Sequence, residues 1–155
     1  GFPEKIFAKS SKHLANIECE DTALIIFKFK KNKSAIMEAT TAMRPNNIEG
    51  SLSILGSKGS AKIGGFALNK IDFYNIPKSK IDIYKFQTIP KNVYGFGHAK
   101  FYEHVLYSLK NKKSSEFDAK NALKTVKVIN AIYRSIEKKR EINLKKNIIS
   151  TKLGK

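Results

Sequence analysis

One change of rhythm constrains this chain more than any other feature. From Thr22 to Phe86 apolar residues recur at every second position in short runs, and beyond Pro90 they recur at every third or fourth. A period of two marks a strand with one buried face, and a period near 3.6 marks an amphipathic helix. Strands gathered first and helices second, joined by tight connections, predict an α+β architecture: an open, mostly antiparallel sheet of about six strands with helices on one face.

The strand half reads in pairs. "TALIIFKF", from Thr22, puts Ala23, Ile25, Phe27 and Phe29 on one face and Leu24 and Ile26 on the other. "KKNK" then supplies a turn and "SAIMEATTA" the returning strand. In "IEGSLSILGSKGSAKIGGF" Leu52 and Ile54 alternate with serines, "GSKG" turns the chain, and Ala61 and Ile63 alternate beyond it. "IDFY" from Ile71 and "IDIYKF" from Ile81 are predicted as further short strands. "GFPEKIFAKSSKH" carries neither cap nor period and begins with Gly1 rather than Met, so it reads as a connecting piece of something longer.

In the helical half, Phe101, Tyr102, Val105, Leu106 and Leu109 form one apolar stripe. Asp118 is placed to cap a second helix, on which Ala122, Val126, Ile129, Tyr133 and Ile136 recur at three and four. "REINL" fits a final strand, and the tail after it has no pattern. If the helices cover one face of the sheet, the other apolar face needs a partner.

Composition bounds the function. At 155 residues the chain is about one domain long. No apolar run approaches the roughly 20 residues that cross a bilayer, and the N-terminus lacks the basic-then-apolar pattern of a signal peptide, so membrane insertion is not expected and the cytoplasm is. Cys19 is alone, which excludes an intrachain disulfide and a thiolate-rich zinc site; a buried thiol is expected. The net charge is +17, yet only Arg44, Arg134 and Arg140 of the 30 cationic residues are arginine. Two readings stay open: a lysine bias that solvates the surface, or attraction to an anionic ligand such as a nucleotide. Arginine rather than lysine supplies the planar fork that reads bases, so nucleic acid is not the expected partner.

Two polar stretches are candidate sites. "YGFGHAKFYEHV" begins at Tyr94, but Lys100 stands where a dinucleotide fingerprint needs its third glycine. His98 and His104 are six apart, about 240° around a helix, so they cannot chelate one ion and no metal site is expected. What remains is a helix N-terminus behind flexible glycines, suited to an anion, or simply a satisfied first-turn histidine. In "TTAMRPNN", Pro45 restricts Arg44 to extended geometry beside Thr40, Thr41, Asn46 and Asn47. An arginine so held can clamp a carboxylate or phosphate with two parallel hydrogen bonds, or it is a solvated turn residue. No Ser-His-Asp, zinc-helix or phosphate-loop motif is present.

The same stretches carry a resemblance. "TTAMRPNNIEGSLSILGSKGSAKIGGFALNKI", "NVYGFGHAKFYEHV" and "NAIYRSIEKKREINL" resemble the C-terminal domain of the Gfo/Idh/MocA oxidoreductases, with its glyceraldehyde-3-phosphate-dehydrogenase-like C-terminal fold. They are most similar to the branch that oxidises UDP-N-acetylglucosaminuronate at the sugar 3-hydroxyl. The likeness covers roughly Glu18 to Leu144. It departs at "FDAKNALKTVKV", where the branch has a glycine and an arginine-rich start.

The resemblance implies a domain plan. Residues 1–18 would be the remnant of an interdomain segment, 19–145 a substrate-binding and oligomerisation domain, and 146–155 a tail. A Rossmann domain upstream would bind NAD(H), or NADP(H), and carry the catalytic residues. None is therefore expected among these 155, nor activity or cofactor binding from them alone. It further implies a UDP-sugar substrate held by Thr41, Arg44, Asn47 and His98, and self-association as a dimer or tetramer through the open sheet face. The product would be a 3-keto UDP-sugar acid, taken on by an aminotransferase toward a lipopolysaccharide O-antigen sugar.

Overall fold

The computed structural model of the protein describes residues 1–115, 117–146 and 148–151. The chain forms two compact units, one of residues 1–42 with the described part of 116–155, the other of residues 43–115. The expected tail at 146–155 lies outside the described residues at Asn147 and from Lys152 onward.

The first unit is a four-stranded antiparallel sheet in the order β3-β2-β1-β7. Its strands are β1 (Lys5–Ser11), β2 (Thr22–Lys28), β3 (Ser34–Thr40) and β7 (Ile142–Asn143). β1 corrects the reading of the N-terminal stretch as a connector. "KIFAKSS" alternates after all, with Ile6 and Ala8 buried and Lys5, Phe7 and Lys9 exposed, and its central place gives it two hydrogen-bonded neighbours. In register, Ile6 faces Phe27 and Ile142, and Ala8 faces Ile25. Lys31 and Asn32 take positive φ in the β2–β3 turn, where the Phe29 N–H bonds the Lys33 carbonyl at 2.8 Å and three residues lie between the two.

Helix α2 (Ala119–Lys138) covers one face of this sheet, and Ile6, Ala8, Ile25, Ala131 and Ile142 make the core. As expected, Asp118 caps it, its carboxylate accepting the Asn121 N–H at 2.7 Å. The face turned inward differs from expectation. Val128, Ala131, Ile132, Ser135 and Ile136 pack on the sheet, whereas Val126 and Ile129 stay exposed. Small residues decide this, because Ala131 and Ser135 let the helix approach the strands. Ser135 Oγ accepts the Ala8 N–H at 2.9 Å and donates to the Arg140 carbonyl at 2.7 Å, so the buried hydroxyl is satisfied.

The second unit holds a three-stranded antiparallel sheet, β4 (Leu52–Gly56), β5 (Gly59–Gly64) and β6 (Lys70–Asn75), in that order. Gly59, at φ +142°, closes the β4–β5 turn where a Cβ would lie 2.5 Å from the Asn75 carbonyl oxygen. A register shift at Lys62/Ile63 marks a bulge. The expected strand at "IDIYKF" is instead a single 3₁₀ turn, Ile83–Phe86. Asp82 is the reason: its side chain accepts the Tyr84 N–H and competes with strand pairing.

Helix α1 (Gly97–Lys110) completes this unit. Its apolar stripe is exposed at Phe101, Tyr102, Leu106 and Leu109, and the residue it buries is Ser108. The α+β class and antiparallel pairing hold, with the strands divided between two sheets. Between them the loop from Thr41 to Ser51 contains Pro45, which has no N–H to offer a ladder. Among the described residues no helix is long and apolar enough to cross a membrane.

Candidate functional site

The four candidate residues fall on two segments. Thr41 belongs to the first unit, just past β3, with its N–H bonded to the Asp21 carbonyl at 2.8 Å. Beside it, Thr40 Oγ1 accepts the Ala42 N–H at 3.0 Å and pairs with Thr22 Oγ1 at 2.9 Å, so the strand end is held by hydroxyls.

Arg44 and Asn47 lie three residues apart on the loop that opens the second unit, both exposed. The Arg44 guanidinium donates to the Met43 carbonyl at 2.7 Å, and the Ile48 N–H reaches Met43 Sδ at 3.1 Å. Further along, the Gly50 N–H bonds the Gly65 carbonyl at 2.9 Å. The loop is thus tied to the sheet by backbone, leaving its polar side chains outward.

His98 stands in the first turn of α1, exposed, with its ring edge-on to Tyr94 at 6.0 Å between centroids. Gly95 takes φ +61° with open space around it, and the Tyr94 N–H is capped by the Asn92 side chain at 3.1 Å. No side-chain hydrogen bond caps α1 at Phe96, which leaves its first-turn N–H groups open to a ligand. The Gly-x-Gly pair enters the helix from a turn rather than from a strand, so the residues here do not build a dinucleotide cradle.

The sequence reading missed an organising carboxylate. Asp21 is buried and accepts N–H groups from His13 at 2.9 Å, Leu14 at 2.8 Å and Ala15 at 3.0 Å, and the Thr22 hydroxyl at 3.0 Å. The Leu14 and Ala15 donors above all hold its carboxyl well below the usual carboxylate range. This knot shapes the 12–21 connection and leaves Cys19 exposed, against the expectation of a buried thiol. Nearby, the Tyr133 hydroxyl donates to Glu20 at 2.6 Å, a bond that pushes its pKa up to about 12. The available signal was the acidic "ECED" in a lysine-rich chain.

Comparison with known proteins places these features in a family. The profile of the oxidoreductase family, C-terminal alpha/beta domain, matches residues 3–144. Among solved structures, the chain is similar to the WlbA dehydrogenase from Bordetella pertussis in complex with NADH and UDP-GlcNAcA. Identity is 31% with a TM-score of 0.82, over 92% of this chain and 42% of that one. The WlbA dehydrogenase from Chromobacterium violaceum, also with NADH and UDP-GlcNAcA, is 29% identical with a TM-score of 0.81, over 92% of this chain and 40% of that one. An NAD-binding oxidoreductase from Klebsiella pneumoniae shares the fold alone, at 14% identity and a TM-score of 0.75, over 95% of this chain and 46% of that one. The chain therefore spans about two fifths of the length of the WlbA structures. Comparison with curated protein sequences finds no match. With its antiparallel sheets, its two helices and a profile match over nearly its whole length, the chain belongs to the Gfo/Idh/MocA oxidoreductases as their C-terminal α/β domain.

Proposed function

We propose that this chain is the substrate-binding and oligomerisation domain of an NAD-dependent nucleotide-sugar dehydrogenase that oxidises the 3-hydroxyl of a UDP-N-acetylglucosaminuronate-like substrate. The observation that carries the reading is the 31% identity, sustained over 92% of the chain, to a dehydrogenase whose structure holds NADH and UDP-GlcNAcA. Residues able to cradle a dinucleotide are lacking here, so the nicotinamide cofactor belongs to a separate Rossmann domain, and the 155-residue chain alone is inactive.

The chain's own part is recognition. Arg44, on a loop tied down by backbone bonds, offers a planar fork to a carboxylate or a phosphate. Thr41 and Asn47 supply hydroxyl and amide groups for sugar oxygens. His98, with the uncapped first turn of α1, forms a polar wall suited to negative charge.

The open faces support self-association as a dimer or tetramer. Phe7, Ile26 and Ile36 stand opposite one another across three strands of the first sheet and are 41%, 42% and 80% exposed. An apolar sheet face of this kind is buried in an assembly. The setting is a cytoplasmic enzyme whose 3-keto product feeds an aminotransferase in O-antigen synthesis.

The test is made on the dehydrogenase that carries this domain. Nucleotide released on denaturation is identified by mass, and oxidation of UDP-GlcNAcA is then assayed. The reading expects NAD(H), and expects Arg44→Ala to lower kcat/KM by about tenfold or more through loss of a charge-assisted clamp. No bound nucleotide and no dinucleotide binding on titration would overturn it. The charge of +17 favours a second reading, a polyanion-binding module. That reading requires affinity for nucleic acid to fall steeply with salt, by about 0.9 log units per log unit of salt for each phosphate neutralised.

A further inference from the structure

We propose that Asn69, on the connection between β5 and β6, is a positioning residue of the substrate site: through Gly65 and Thr88 it sets both the loop that carries Arg44 and Asn47 and the segment that leads to His98. The identity of the substrate rests on the dehydrogenase reading, and the positioning role rests on the geometry of the second unit.

The two segments are distant in sequence yet meet one anchor. On one side, the Gly50 N–H at the end of the Arg44 loop bonds the Gly65 carbonyl at 2.9 Å. A Cβ at Gly50 would stand 3.5 Å from Leu68 Cγ, so the loop end also lies against that side chain. On the other side, the Asn69 side-chain amide donates to the Thr88 carbonyl at 2.7 Å, and the Thr88 N–H returns to the Asn69 carbonyl at 2.9 Å. From Thr88 the path to His98 is held along its length. Pro90 is buried, the Asn92 side chain accepts the Tyr94 N–H at 3.1 Å, and the Asn92 carbonyl accepts the Gly95 N–H at 3.2 Å before Gly97 opens α1.

Asn69 also shapes the anchor itself. Its Oδ1 accepts the Ala67 N–H at 3.2 Å and closes the connection. Its amide fills the space that a Cβ at Gly65 would occupy, and Gly65 stands at φ +85°. Leu68 stands at φ +53°, a region that a bulky residue enters rarely and keeps only where its surroundings over-determine it. The task needs a donor and an acceptor on one short planar group, which asparagine supplies and aspartate or leucine does not. A recognition group displaced by about 1 Å can weaken function by about 10²-fold. An anchor shared by two such segments therefore governs substrate binding without a contact of its own.

The experiment is made on the dehydrogenase that carries this domain, with Asn69→Ala, Asn69→Asp and a control, Tyr74→Phe, which removes the Tyr74–Ser79 hydroxyl pair of the same sheet. Hydrogen exchange followed by mass spectrometry is the first readout. Asn69→Ala should speed exchange about tenfold or more in both residues 46–50 and 88–97. Asn69→Asp keeps the oxygen facing Ala67 and loses the donor to Thr88, so it should loosen 88–97 alone, and Tyr74→Phe neither. Kinetics is the second readout: Asn69→Ala should raise KM for UDP-GlcNAcA about tenfold while kcat changes less than about threefold, with the affinity for NADH unchanged. In that background Arg44→Ala should add less than about threefold, because the clamp is already displaced. Unchanged exchange in the two segments, or effects of Asn69→Ala and Arg44→Ala that multiply in full, overturns the proposal. An enzyme that leaves UDP-GlcNAcA unoxidised while exchange responds as expected overturns the substrate reading and upholds the anchoring role of Asn69.

Discussion

The two sheets have the same amphipathic alternation and opposite fates. In the first unit Ile6 and Ile25 are 0% and 2% exposed, while in the second Ile54 and Leu55 are 57% and 85% exposed. Among the described residues the core cluster of Ile6, Ala8, Ile25, Ala131 and Ile142 lies wholly in the first unit. The helices diverge likewise. α2 brings small residues, Ala131 and Ser135, against its sheet, whereas α1 keeps Phe101, Tyr102, Leu106 and Leu109 in solvent. Alternation thus prepares a face, but a complementary surface must arrive before that face becomes a core. The second unit has prepared faces whose apolar residues, Leu52, Ile54 and Leu55 among them, stay exposed.

The largest effect that could break this comparison is a core truncation. Ile25→Ala should lower unfolding free energy by about 2–5 kcal/mol, because it opens a cavity among packed neighbours. Ile54→Ala should cost less than about 1 kcal/mol in the same monomer. Urea unfolding followed by circular dichroism measures both, and equal costs would mean that the second sheet is covered after all.

Ser135→Ala comes next. It removes a buried hydroxyl that satisfies the Ala8 N–H and the Arg140 carbonyl, and should cost about 1–3 kcal/mol. At the start of the same helix, Asp118→Ala should cost about 1 kcal/mol, with helix content reduced at Ala119–Lys138. α1 has no side-chain cap to lose, so hydrogen exchange should show its first turn opening more readily than that of α2.

Acid gives a further test confined to the first unit. The folded carboxyl of Asp21 titrates below its unfolded value of about 3.9, so its contribution is complete above that pH and disappears as pH falls through the folded value. Asp21→Asn should lower stability at neutral pH and flatten the loss below about pH 4. The smallest effect belongs to Glu141→Gln, which releases Lys5 and Lys28 at the sheet surface. It should be a slight destabilisation in low salt that fades as salt is added.

Legibility followed the range of the interactions. The β2–β3 and β4–β5 hairpins and the Asp118 cap were readable because each depends on neighbours in sequence. "IDIYKF" misled because its alternation is real, while Asp82 bonds locally to Tyr84 and closes a turn instead. "KIFAKSS" was passed over because one strand of seven, flanked by lysine and serine, declares itself only when β2 and β7 pair with it. Of the candidate site, the segments were visible in sequence. Arg44 and Asn47 share a loop that backbone bonds hold to the sheet, while Thr41 is anchored to Asp21, a residue that carried no motif.

By itself the sequence determined the α+β class, the two hairpins and the family resemblance, since these follow from periodicity, turn chemistry and contiguous motifs. Only the tertiary structure decided which apolar face of α2 is buried, that Cys19 is exposed, and that the Ser135 hydroxyl meets the Ala8 N–H. The physical reason is common to all three. Burial and long-range pairing are properties of surfaces brought together across long sequence separations, and a one-dimensional pattern marks which surfaces are able to meet without choosing which of them do.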